Sequence, residues 1–74
     1  MEYWLRQDPR TARRIWDLMK EVKRSPFVGI GKPEPLKGWG ENVWSRRINE
    51  TDRLVYALFD DRIDFLQARY HYAP

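Results

Sequence analysis

An α+β fold, one helix packed on an antiparallel β-meander, is predicted by three features of the chain. Apolar residues recur every three or four positions between residues 9 and 24. After residue 43 the pattern changes to alternation, and the links between the alternating runs are too short for anything but hairpins. Seventy-four residues make a single domain, 1–74, with room for one core.

The helix opens at Asp8-Pro9, with Asp8 as N-cap and Pro9 at the first helical position, where its missing N–H removes no hydrogen bond. Ala12, Ile15, Trp16, Met19 and Val22 then form the expected apolar stripe. Lys23 and Arg24 suit the negative end of the helix dipole, and Ser25-Pro26 stops the helix. The segment 1–7 carries Tyr3 and Trp4 and could be the tail of a preceding helix, which would make a helical hairpin. Residues 27–40, with all four glycines, read as loop. Runs at 43–48, 53–59 and 63–70 read as three strands joined by turns at 49–52 and 60–62. Alternation sets Trp44 and Ile48 opposite Val43, Ser45 and Arg47, and Leu54, Tyr56 and Leu58 opposite Arg53, Val55 and Ala57. The third strand must finish beside the start of the second, so Arg53, Arg69 and His71 are expected at one end of the sheet.

Composition narrows the chemistry. With no cysteine, neither a disulfide nor a thiolate metal site can form, and one histidine is too few for an imidazole-rich metal centre. No metal or other cofactor is expected. No apolar run approaches membrane-spanning length and no signal peptide is visible, so the expected location is the cytoplasm, with no membrane partner. A net charge of +3, with ten arginines to four lysines, leans towards a polyanionic partner, because the guanidinium fork matches phosphate.

The stretch Gly31-Lys32-Pro33-Glu34-Pro35-Leu36-Lys37 places one carboxylate between two prolines. Each proline holds its own φ near about −65° and disfavours helix for the residue before it, so Lys32 and Glu34 are both expected to be extended. A carboxylate on a stiff loop loses little entropy when positioned as a general base. One carboxylate, one imidazole and several guanidiniums fit RNA cleavage by the RNA's own 2′-hydroxyl. That reaction needs a base, cations for the phosphorane and an acid for the departing 5′-oxygen. Glu34 could be the base and His71 the acid, with Arg47 and Arg53 near the phosphate and Tyr70 or Tyr72 stacking on a base. The alternative from residues alone is a proline turn with a solvated glutamate on a basic surface.

Five blocks in order resemble one family: Ser25-Pro26-Phe27 with Gly29; Gly31 through Lys37; Trp44-Ser45-Arg46-Arg47-Ile48; Asp52-Arg53-Leu54-Val55-Tyr56; and Ala68-Arg69-Tyr70-His71-Tyr72. Together they resemble the YoeB/Txe toxins, RelE-like mRNA interferases of bacterial toxin–antitoxin pairs. The resemblance implies a RelE/YoeB-like, microbial-RNase-type fold and a ribosome-dependent endoribonuclease that cuts mRNA in the ribosomal A site (30S/70S). It also implies a YefM-like antitoxin and a homodimer. By motif it makes Glu34 the general base, Arg53 the phosphate stabiliser, and His71, the general acid, and Tyr72 the remaining catalytic pair. Lys37, Arg46, Arg47, Arg69 and Tyr70 are implied as RNA or phosphate contacts. The family's first strand and first helical turns have no counterpart in this sequence, and Ala73-Pro74 extends past the usual terminal tyrosine. An exposed sheet edge is therefore expected, and the competing functional reading is a shortened, inactive paralogue that only binds antitoxin or RNA.

Overall fold

Asp8 starts the first element as its sequence predicts: one carboxylate oxygen accepts from the backbone N–H of Arg10 at 3.1 Å and Thr11 at 3.4 Å, and the other from the Thr11 hydroxyl at 2.7 Å. The computed structural model describes residues 8–71, positions 69–71 by their backbone. The segment 1–7, with its expected helix tail, lies outside the described residues, as do Tyr72 and Ala73-Pro74. Helix α1 spans Pro9–Arg24, and Ser25 closes it by donating its N–H to Glu21 O at 2.7 Å. Four strands follow: β1 Glu34–Pro35, β2 Val43–Arg47, β3 Asp52–Leu58 and β4 Ile63–His71. They form one antiparallel sheet in the order β1-β2-β3-β4, so the α+β meander stands. Part of the expected loop 27–40 is in fact the edge strand β1, because its backbone pairs with β2.

α1 lies on one face of the sheet. Ile15, Leu18 and Val22 pack with Ile48, Leu54 and Tyr56, and Met19 and Trp44 close the margin. The apolar stripe is rotated from the expected one: Leu18 is fully buried, whereas Trp16 is 52% exposed. Both residues flank the row through Ile15 and Val22, and only the direction from which the sheet approaches decides which flank is covered. On the opposite face Leu36, Val43, Val55 and Ala57 form a second, smaller buried cluster.

Gly31 shows how closely the loop before β1 approaches the body. Its φ is +83°, and an added Cβ would come within 2.9 Å of a Leu18 methyl and 3.1 Å of the Arg47 carbonyl oxygen. Lys32 departs from expectation, with φ +51° in place of an extended conformation. Left-handed backbone costs a non-glycine residue about 1–2 kcal/mol. The chain accepts it because the Gly31 carbonyl is tied to the Arg47 N–H at 2.6 Å and the next residues must turn onto the sheet edge. Glu34 is extended, as expected.

Leu18→Ala is expected to destabilise the fold by about 2–4 kcal/mol in urea unfolding, and Trp16→Ala by less than about 1 kcal/mol. The Thr11 hydroxyl, helped by the two backbone N–H groups and the Arg10 charge and opposed by partial desolvation, holds the Asp8 carboxyl below its ordinary 3.8. A lowered folded-state pKa contributes stability above the unfolded value that is lost as pH falls through the folded one. Urea titrations between about pH 5 and 2 should therefore show an acid-side loss that Asp8→Asn, which still caps, reduces.

Candidate active site

Register brings the candidate residues together. Glu34 pairs with Ser45, Ser45 with Val55, and Arg47 with Arg53, so alternation sets Glu34, Ser45, Arg47 and Arg53 on the face away from α1. Arg53 reaches across β2 to the edge strand: its Nη1 lies 2.7 Å from Glu34 Oε1 and donates to Ser45 Oγ at 3.3 Å. The Arg53 side chain is only 12% exposed, whereas Glu34 is 46% exposed. A largely desolvated guanidinium thus presents its charge to a carboxylate that water, or a substrate hydroxyl, can still reach. The buried cluster of Leu36, Val43, Val55 and Ala57 lies on the same face and lowers the local dielectric beside the pair.

Arg47 stands directly opposite Arg53 and is exposed, and its guanidinium has no ion-pair partner among the described residues. Like charges at opposed cross-strand positions repel, and an anion held between them would relieve that repulsion. Lys37, three residues beyond Glu34, is exposed and likewise has no ion-pair partner among the described residues. Ser45, buried between Glu34 and Arg53, carries no sequence signal of its own as a site residue. Its place on the face of Arg47 was legible, but its pairing with Glu34 depends on β1 being a strand.

Arg46 requires a correction. Expected among the RNA contacts, it is fully buried on the α1 side of the sheet. Its Nε donates to Tyr56 Oη at 3.2 Å, Nη1 to Ile30 O at 3.2 Å, and Nη2 to Val28 O at 3.1 Å and to Ser25 O. Burial pushes the Tyr56 phenol up from 10.0, against the opposing pull of Arg46, and the protonated hydroxyl donates to Pro26 O at 2.9 Å. A guanidinium fully buried with four of its five N–H groups bonded presents none to a phosphate in solvent. Neighbouring positions on a strand face opposite ways, and the sequence carries Arg46 and Arg47 side by side.

The last strand is shifted against β3. Leu58 pairs with Ile63 and Tyr56 with Phe65, but after two irregularities Arg53 pairs with Tyr70 and Asp52 with His71. Continued without those bulges, the Leu58–Ile63 register would put Ala68 opposite Arg53. Two extra residues in β4 therefore decide which of its terminal residues arrives at the Arg53 end, a common use of bulges beside functional sites. The backbone of His71 does finish at that end of the sheet, and Tyr70, not Arg69, stands opposite Arg53. The side chains of Arg69, Tyr70 and His71, and all of Tyr72, lie outside the described residues.

A groove of 620 Å³ sits at the β3–β4 turn, lined by residues that include Lys23, Phe27, Phe59 and Arg62, and contains none of the expected site residues. Among the described residues no three His, Cys, Asp or Glu side chains converge as metal ligands, and no helix is long and apolar enough to cross a membrane.

The profile of the YoeB-like toxins of bacterial type II toxin–antitoxin systems matches residues 1–72. A toxin YoeB of Mycobacterium bovis is 56% identical over 70 residues, covering 95% of this chain and 82% of the relative. The YoeB dimer of Staphylococcus aureus superposes with a TM-score of 0.88 at 39% identity, covering 96% of this chain and 83% of that one. A YoeB–YefM complex from the same organism gives 0.83 at 38% identity, with the same coverage.

Glu34 is nearly half exposed, and a glutamine in its place keeps an amide oxygen that can accept from Arg53 Nη1. Glu34→Gln should shift urea stability by less than about 1 kcal/mol, so a loss of activity in that variant would not report unfolding.

Proposed function

The chain belongs to the YoeB-like toxins of bacterial type II toxin–antitoxin systems, and we propose on that footing that it is a ribosome-dependent mRNA endoribonuclease. The observation that carries the reading is the Glu34–Arg53 pair at 2.7 Å on the face of the sheet that α1 leaves uncovered. A scissile phosphate entering this face competes for the donors of Arg53, and the Glu34 carboxylate released from that contact accepts the proton of the adjacent 2′-hydroxyl. The 2′-oxygen attacks phosphorus, and the phosphorane's charge develops between Arg53 and Arg47, where two opposed guanidiniums already favour an anion. The P–O5′ bond breaks as His71 protonates the leaving oxygen, giving a 2′,3′-cyclic phosphate on one fragment and a 5′-hydroxyl on the other. Tyr72 completes the catalytic group, and Lys37, Arg69 and Tyr70 hold the flanking RNA.

Both partners follow from the same reading. The YoeB of Staphylococcus aureus occurs as a dimer and in complex with YefM. We assign this chain a YefM-like antitoxin and a homodimeric form, acting in the cytoplasm where messages are translated.

Primer extension on a message under translation is the direct test. The intact protein should produce new 5′ ends within codons in the ribosomal A site, and Glu34→Ala or His71→Ala should lower their yield by about 10²–10⁴-fold. Antitoxin binding without new ends would leave the inactive-paralogue reading in its place, and ends unchanged in both variants would overturn Glu34 and His71 as base and acid.

A further inference from the structure

The loop at 25–33, which delivers the chain from α1 to Glu34, is held in an unusual way. Its apolar side chains are largely exposed, Phe27 56%, Val28 68% and Ile30 45%, and Phe27 meets Trp44 edge-on with ring centroids 5.1 Å apart. Burial of those side chains therefore fixes little of its path beyond Phe27. Its carbonyls turn inward instead, those of Ser25, Val28 and Ile30 to the Arg46 guanidinium and that of Pro26 to the Tyr56 hydroxyl, which itself accepts from Arg46 Nε. The next fixed point is Gly31, whose carbonyl accepts from the Arg47 N–H, and the strained Lys32 and rigid Pro33 lead directly to Glu34. Arg46 also adjoins Ser45, the register partner of Glu34. One buried cation thus references both the loop that carries Glu34 and the strand that Glu34 pairs with.

We propose that Arg46, working through Tyr56 and the carbonyls of the 25–30 loop, is a positioning residue for Glu34: it sets where the carboxylate stands relative to Arg53 without touching substrate. The proposal rests on the reading of Glu34 as the base. The physical ground is reach and number. Five N–H donors in a fixed plane can hold three separated carbonyls and a hydroxyl at once, which an ammonium with three rotatable donors on a flexible stem cannot do with the same geometry. Misplacing a reacting group by a fraction of its contact distance is enough to lower rate steeply.

Arg46→Ala would leave a cavity and orphaned carbonyls, and could fail to fold. The informative variants are Tyr56→Phe, which keeps the ring in the core, and Arg46→Lys, which keeps the charge. Single-turnover cleavage of ribosome-bound message should fall about tenfold or more in each, with half-saturation unchanged. The combined Glu34→Gln/Tyr56→Phe variant should cleave no more slowly than Glu34→Gln alone, because a misplaced base that is already absent has nothing further to lose. Hydrogen exchange supplies a readout independent of catalysis: in Tyr56→Phe the Arg47 amide, bonded to Gly31, should exchange faster while amides in the middle of β3 keep their protection. Additive losses in the double variant would overturn the positioning role and leave the base in place, as would an unchanged Arg47 amide or equal acceleration throughout the sheet. Glu34→Gln with undiminished cleavage would overturn the general-base reading itself, separately from the exchange result.

Discussion

A guanidinium with no water around it is the constraint that organises this small fold. Removing an ion from water carries a penalty of several kcal/mol, and among the described residues Arg46 makes no salt bridge, the Glu21 carboxylate lying nearby across Gly29. Four oxygens offset the penalty instead: three loop carbonyls and a phenol. The penalty thereby becomes a specification, since the 25–31 backbone must bring three of its carbonyls to one planar fork. The glycines at 29 and 31, both at positive φ, are what allow the backbone to follow that path. Among the described residues, no buried side-chain polar atom is left without a partner.

The sheet separates two tasks by its alternation. On the α1 side it builds the core, Ile15, Leu18 and Val22 against Ile48, Leu54 and Tyr56. On the other side it supports the Glu34–Ser45–Arg53 array above a small apolar cluster. Arg46 and Arg47 are consecutive and chemically identical, yet one fixes a loop and the other faces solvent beside the candidate phosphate position. The two-residue period of a strand is sufficient to divide them.

Bulges and the short edge strand complete the geometry. Two residues long, β1 carries little pairing of its own, so its place depends on the loop before it and on Leu36, whose N–H donates to Val43 O at 2.9 Å. At the far edge, the two extra residues in β4 hold the chain back, so that Tyr70 and His71 stand opposite the start of β3 and not beyond it. The candidate site is therefore assembled from four strands, none of which brings more than a few of its residues.

Much of this was legible in the chain before any fold was known. The helix at 9–24, its Asp8 cap, the meander and the turn before Asp52 follow from local signals, because capping, proline and short-range period act over a few residues. Glu34 and Arg53, proposed here as base and phosphate stabiliser, are marked in the chain as well, one by its proline frame and both by the blocks resembling YoeB/Txe toxins. Sequence could not say that Trp16 is exposed and Leu18 buried, that Lys32 is left-handed, that 34–35 is a strand, or that Arg46 is buried and bonded to loop carbonyls. Each of those depends on the direction from which a distant segment arrives, and a one-dimensional pattern carries no such direction. Glu34 was marked by its own neighbours; its contact with Arg53 was decided by register across three strands.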